Sequence, residues 1–506
     1  MANKEKIIQL FEKPGVEYRG KPFWSWNGEL EKDELIRQVA IMKEMGFGGY
    51  FMHSRAGLIT EYLGDEWFDL INAVADAGTE MGMESWLYDE DRWPSGSAGG
   101  KVTVDPQYRM KQITMYCQDK ATFAETGVLP GDSEDEIVAI FAINKDGKAI
   151  YEYEQCEDEK ALSEAIKNEW CNKVLVFRID LRKPSSVYNG TTYIDTMSRK
   201  AVDKFIELTH AEYKNRCGER IGTTIKGIFT DEPHRGHTLD NYREKDGIET
   251  CSVAYTDDLF EEFIKRYGYD LKPMLPELFF RKDGKSIHKV KINYVDLANN
   301  LFIERFADPI NDWCNENNMI FTGHVLHEDS LTSQTATQGS LMRFYPHMTY
   351  PGVDVLSEGN RCYWIVKQLS SAARQAGQKW LLSELYGCTG WQFDFAAHKA
   401  VGDWQALLGI NFRCHHLSWY TMEGESKRDY PASILHQSKY YKDYDYVEGG
   451  VANDRVIDTI NLYIAGLIDF SSALRELSKH QPNNQICILN QGLINKYLTY
   501  DGTEEL

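Results

Sequence analysis

Three times in the first hundred residues, a short apolar run breaks off in polar and aromatic residues and hands over to a stretch with helical spacing. The first run, 22–26, closes in Asn27-Gly28, and residues 31–45 then carry Leu35, Val39 and Met42 on one face before Gly46. The second, Gly49-Tyr50-Phe51-Met52, opens into His53-Ser54-Arg55, and Trp67, Leu70, Ile71 and Val74 mark one side of a helix over 66–81. The third, 84–88, ends in Asp89-Glu90-Asp91-Arg92-Trp93-Pro94-Ser95-Gly96. Repeated strand–helix units stack their strands in parallel, and in a closed barrel the strand ends all deliver their polar residues to one rim.

The rhythm then lapses. Residues 112–117, 136–143, 149–153 and 173–179 alternate like antiparallel strands, which predicts a β-rich insertion over 104–194 after the third barrel strand. Helical spacing returns at 198–217, and strands follow that end at Glu232, over 319–322, 353–356 and 381–383, and over 412–419. Helices are expected around 257–267, 294–317, 361–376 and 403–408. Eight strands make an α/β protein of the (β/α)8 TIM-barrel type. The predicted division is 1–103 for strands 1–3, 104–194 for the insertion, 195–483 for strands 4–8 with a last helix at 451–477, and 484–506 for the start of an incomplete C-terminal domain.

Two strand ends stand out. Gly227-Ile228-Phe229-Thr230-Asp231-Glu232-Pro233-His234 and Trp380-Leu381-Leu382-Ser383-Glu384-Leu385-Tyr386-Gly387 each run from apolar residues to a glutamate. A pair of carboxyl groups, one as proton donor and one as base or nucleophile, is what cleavage of a glycosidic bond requires. Glu328, after the fifth strand in Gly323-His324-Val325-Leu326-His327-Glu328-Asp329, is a third candidate. Trp24, Trp26, Asn27, His53, Arg55, Asp89, Asp91, Trp93, Asp231, His324, His327, Tyr386, His416 and Trp419 fall at strand ends where a sugar pocket would recruit aromatic faces and hydroxyl-binding groups. Trp391 lies nearby, and Arg428 and Asp429 read as a pair across the rim.

Composition narrows the partners. With 56 basic against 77 acidic residues the net charge is -21, which disfavours nucleic acid and anionic membranes and suits a small carbohydrate. Neither a leader-like start nor a run of about 20 apolar residues is present, so a cytoplasmic location is expected. Ten cysteines without a CxxC pair read as reduced thiols. Neither GxGxxG nor GxxxxGK[ST] occurs, so no nucleotide cofactor is expected. His324 and His327 are three apart, but off a helix that spacing does not converge the rings on a metal. The oligomeric state is open.

The segments PFWSWNGEL, GGYFMHSRAGL, ESWLYDEDRWPSGSAGG, IFTDEP, LLSELYGCTGW and HHLSWYTMEGESKRDYP resemble glycoside hydrolase family 106, the α-L-rhamnosidases. The resemblance implies an inverting hydrolase of L-rhamnose or a similar deoxy-sugar, with Glu232 as general acid, Glu384 as base, and Glu328 assisting or replacing it. It also implies a calcium ion near the sugar, for which Asp89, Asp91, Asp231 and Glu328 are available oxygen ligands. Thr230-Asp231-Glu232-Pro233 is similar as well to the Asn-Glu-Pro segment of a large clan of retaining barrel hydrolases such as β-galactosidases. A catalytically silent carbohydrate-binding protein is the alternative of another class.

Overall fold

The computed structural model describes residues 4–360, 362–389 and 393–421. Trp391, Arg428, Asp429, the expected helix at 451–477 and the expected C-terminal domain lie outside the described residues.

The barrel strands are Phe23–Trp26, Gly49–Ser54, Glu84–Tyr88, Ile225–Thr230, Ile320–Gly323, Tyr350–Asp354 and Leu382–Leu385, with an eighth in two pieces, Phe412–His415 and Ser418–Trp419. All pair in parallel in chain order. The eighth strand brings the sheet's two ends together. Its first piece pairs with the seventh strand, Leu382 opposite Phe412, and its second with the first strand, Trp24 opposite Ser418.

Period-two alternation sorts the side chains into two layers. Phe23, Phe51, Trp86, Phe229, Leu382 and Phe412 fill the barrel. Trp24 and Trp26 point the other way and join the layer between strands and helices, with ring centroids 5.4 Å apart and Trp26 5.1 Å from Trp67. The outer helices are Lys32–Glu44 and Asp65–Met81, then Tyr363–Ala376 and Phe395–Leu408, the last much longer than the expected 403–408. Asp65–Met81 stops at Gly82, whose φ of 70° lets its N–H return to Gly78 and Thr79 carbonyls.

The β-rich insertion is present but is not confined to one stretch of chain. A seven-stranded sheet runs in the order Arg281–Lys282, Ala149–Cys156, Glu136–Asp146, Lys173–Leu181, Lys111–Asp119, Ile248–Tyr255, Arg243–Lys245. Three of these strands follow the fourth barrel strand rather than the third, which corrects the sequence reading. The reason is pairing: Lys111–Asp119 would have an open edge, and Ile248–Tyr255 covers it over seven residue pairs. One face, with Ile113, Met115, Phe141, Phe177 and Val253, joins the main core.

Candidate active site

At the fourth strand's end the chain leaves the sheet through Asp231 and Glu232. Glu232 takes a φ of 49°, a left-handed backbone that costs a non-glycine residue about 1–3 kcal/mol and is retained at functional sites. The fifth strand approaches so closely here that Gly323, at φ 138°, is required: a Cβ would lie 1.9 Å from the Thr230 carbonyl oxygen. That approach sets His324 beside Asp231 and Glu384.

His324 is the electrostatic centre. Its Nε2 lies 2.8 Å from Glu384 Oε2 and 3.3 Å from Asp231 Oδ1, all three side chains being buried. Burial alone would discharge the ring, but Asp231, Glu384 and Asp354 together hold its pKa well above the ordinary imidazole value. The charged form is favoured, with Nε2–H donating to Glu384 and facing Asp231 while Nδ1 has no hydrogen-bond partner among the described residues. Asp231 also accepts from Tyr88 Oη at 2.5 Å and is locked to Ser95 through both backbone and hydroxyl.

Burial and the neighbouring Asp231 push the Glu232 carboxyl up to about 8, with His324 and Arg55 opposing. Burial and Asp231 also raise Glu384, but here the bonded His324 favours the carboxylate. Two carboxyl groups thus stand in unlike surroundings, one keeping its proton and one stabilised by a cation. Burial likewise lifts Glu328 to about 8; its Oε2 accepts the Asp354 N–H at 2.6 Å.

Arg55 spans the second and eighth strands. It contacts His53 Nε2 at 3.0 Å and His416 Nε2 at 3.2 Å, and its guanidinium lies 4.5 Å over the Trp93 ring. His53 is discharged by burial and by Arg55 and His416, and its ring sits 3.6 Å from Tyr88. His416 Nε2 is 3.8 Å from Glu384 Oε1. Trp93 is half-buried, which leaves aromatic surface for an apolar sugar face.

The structure therefore gathers Asp231, Glu232, His324, Glu384, Glu328, Arg55, His53, His416 and Trp93. Other expected site residues have partners within the fold. Trp24 and Trp26 face the helices because alternation puts Phe23 and Ser25 inward; Trp24 Nε1 donates to Gln38 at 2.7 Å. Asn27 clamps the end of the eighth strand through two bonds to Thr421. Asp91 ties Ser54 to Asn189, and Asp89 accepts from Ser95 Oγ. Tyr386, at φ 77°, turns onto His398, 5.0 Å away. His327 is exposed beside His237, and Trp419 packs in the inner apolar cluster.

The four carboxylates available to calcium are not assembled as one set. Asp89, Asp91, Asp231 and Glu328 do not converge; among the described residues the one grouping of metal-ligand type is Asp231, His324 and Glu384. That grouping includes a ring nitrogen, and a calcium ion prefers oxygen ligands to nitrogen.

Two residues were missed. Asp354 ends the sixth strand directly opposite Glu384, and burial followed by Glu384 raises its pKa well above the usual range. Its signal was an acid inside the apolar run 353–356, read as strand interior although the strand stops at Asp354. Glu90 accepts backbone N–H groups from Asp91, Gly96, Ser97, Ala98 and Gly99. The glycine-rich loop after the third strand is thus an anion cradle filled by the chain's own carboxylate.

A parallel eight-stranded barrel whose mouth is lined with carboxylates and one imidazolium defines the class of fold and site. Among solved structures, the chain is similar to a rhamnosidase from Novosphingobium sp. PP1Y, with a TM-score of 0.60 at 14% identity, covering 90% of this chain and 60% of that one. It is 21% identical over 460 residues to a Formosa agariphila protein named "Putative beta-glucuronidase", covering 79% of this chain and 37% of that protein. The chain thus spans less than two thirds of either relative. A family model described as "Protein of unknown function (DUF3990)" matches residues 409–500, nearly all outside the described residues. Among the described residues, no helix is long and apolar enough to cross a membrane.

Proposed function

We propose that the chain is the catalytic part of a glycoside hydrolase that acts on α-L-rhamnosides or related deoxy-sugar glycosides with inversion. Glu232 protonates the leaving oxygen and Glu384 activates the attacking water. The observation that carries this reading is the unlike surroundings of the two strand-end carboxyl groups: burial and Asp231 push Glu232 up to about 8, whereas Glu384, raised by the same two causes, bonds His324 Nε2 at 2.8 Å, which favours its ionised form. Groups whose surroundings separate their proton affinities are how one site supplies an acid and a base at neutral pH. Glu328, protonated and anchored to Asp354 N–H, supports the wall beside them. The resemblance of the quoted segments to family 106 and the fold likeness to a rhamnosidase support the choice of substrate class.

The placement of the two glutamates on the fourth and seventh strands also supports a second reading, a retaining hydrolase of the β-galactosidase type. Retention needs carboxyl groups ~5 Å apart and inversion ~6.5–9.5 Å. The experiment is hydrolysis of a panel of aryl glycosides, α-L-rhamnoside and β-D-galactoside included, with the first-formed anomer read by proton NMR. Inverted product from the rhamnoside supports the proposal, and retained product from it refutes the mechanism. Turnover of the galactoside alone refutes the substrate class. In Glu232→Gln, turnover falls most on substrates with poor leaving groups; equal losses on activated ones would sink the assignment of the acid.

A further inference from the structure

The antiparallel sheet beside the barrel has a second, polar face. Alternation along Lys111–Asp119 sends Ile113 and Met115 into the core and Gln112 and Thr114 outward, and Thr114 pairs with Arg178 on one side and Ser252 on the other. Towards one end this face is covered by the helices Lys120–Thr126 and Glu159–Ala165 through Phe123 and Leu162. Elsewhere it forms a cleft of about 270 Å³ whose walls include Arg182, Arg243, Thr114, Asn241, Thr250 and Ser252.

The two arginines set its chemistry. In a chain of 77 acidic residues, Arg199, Arg216, Arg220, Arg266, Arg305 and Arg343 all pair with carboxylates. Arg182 and Arg243 line one cleft, and no salt bridge engages either among the described residues. Asp180 accepts from Thr114 Oγ1 at 2.5 Å; burial raises its pKa, and Arg182 acts on it electrostatically without forming a salt bridge. Arg178, by contrast, is committed to the Pro130 and Asp135 carbonyls.

The cleft is tied to the barrel mouth. The loop that leaves Glu232 runs along Ile248–Tyr255, where Leu239 N–H donates to the Ser252 carbonyl at 3.0 Å and Asn241 Nδ2 to Ser252 Oγ at 2.5 Å. Arg182 and Glu232 both act electrostatically on Tyr188. On the same loop, the rings of His234 and His237 lie 6.3 Å apart, and His237 lies 6.1 Å from His327.

We propose that this cleft binds a sugar unit carrying an anionic group, a uronate carboxylate or a sulfate ester. Guanidinium forks match such groups in two-point hydrogen bonding, and the Thr, Ser and Asn side chains supply partners for ring hydroxyls. Resting on the hydrolase reading, the cleft is a subsite for a charged unit of the same saccharide whose neutral end enters the mouth.

The test is calorimetric binding of D-glucuronate, D-galacturonate, their methyl esters, glucose 6-sulfate and inorganic sulfate to the full chain and to the Arg182→Gln and Arg243→Gln variants, with melting curves confirming that each is folded. The expected result is that a uronate or the sugar sulfate binds about tenfold or more tightly than the neutral esters and loses about tenfold in each variant. Which of the two binds identifies the source of the charge. Equal binding of ester and acid, indifference to both substitutions, or inorganic sulfate binding as tightly as the sugars would overturn the subsite. Because no turnover is read, arginine-dependent binding without hydrolysis refutes only the hydrolase reading, and hydrolysis without such binding refutes only the subsite.

Discussion

Replacing His324 with glutamine keeps a hydrogen-bond donor against Glu384 but removes the positive charge between two buried carboxylates. The ring nitrogen lies 2.8 Å from Glu384 and 3.3 Å from Asp231. At a charge separation of ~4 Å and an effective dielectric constant of ~20, each pairing is on the order of 4 kcal/mol, or roughly 3 pKa units. His324 opposes the rise of both Glu232 and Glu384, so both affinities for protons climb when it is lost. Glu384, which is directly bonded, climbs further. A base must be ionised and an acid protonated, so the acidic limb of the pH profile of kcat/KM should move up by roughly 2 to 3 units and close on the alkaline limb. Activity near pH 6 should fall about 100-fold or more, and the residual optimum should become narrow and alkaline. The assay is kcat/KM for an aryl glycoside from pH 4 to 10, with a melting curve at each pH. A folded variant whose acidic limb stays in place would refute the claim that this charge sets the protonation of the base.

Several other outcomes test separate parts of the site. In the unaltered protein, Glu232 at about 8 predicts an alkaline limb of kcat/KM near pH 8 that disappears in Glu232→Gln; a limb that survives the substitution belongs to another group. Glu90, Glu232 and Glu328 have folded-state values of about 7, about 8 and about 8, raised chiefly by burial. Their contribution to stability is full below the unfolded carboxyl value and is lost progressively from there until pH passes 7–8, so Tm should fall across that span, level off above it, and fall less in Glu328→Gln. A Tm flat between pH 6 and 9 would contradict it. Gly323→Ala should cost more than about 3 kcal/mol or prevent soluble expression, since its Cβ meets the Thr230 carbonyl; a stable variant would show that the two strands can separate. Trp24→Phe should lower Tm through the lost bond to Gln38, about 1–3 kcal/mol, while kcat/KM of the folded fraction holds; a selective loss of kcat/KM would return Trp24 to the sugar pocket.

The sequence by itself determined the barrel, because short apolar runs alternating with helical spacing admit few other arrangements, and runs ending in Glu232, His324 and Glu384 mark strand ends. It could not say which way a strand-end side chain points. Trp24, Trp26 and Tyr386 looked like pocket residues by position, yet the parity of the strand and a left-handed turn direct them to the helix layer. Nor could it assign the strands after Glu232 to the insertion, since Ile248–Tyr255 pairs with Lys111–Asp119 across more than a hundred residues of chain. Only the tertiary structure showed that Asp354 faces Glu384, that His324 carries the charge between two acids, and that Arg182 and Arg243 share one cleft. These are properties of separation and burial in space, and Coulombic energies and desolvation depend on both, whereas sequence spacing encodes neither.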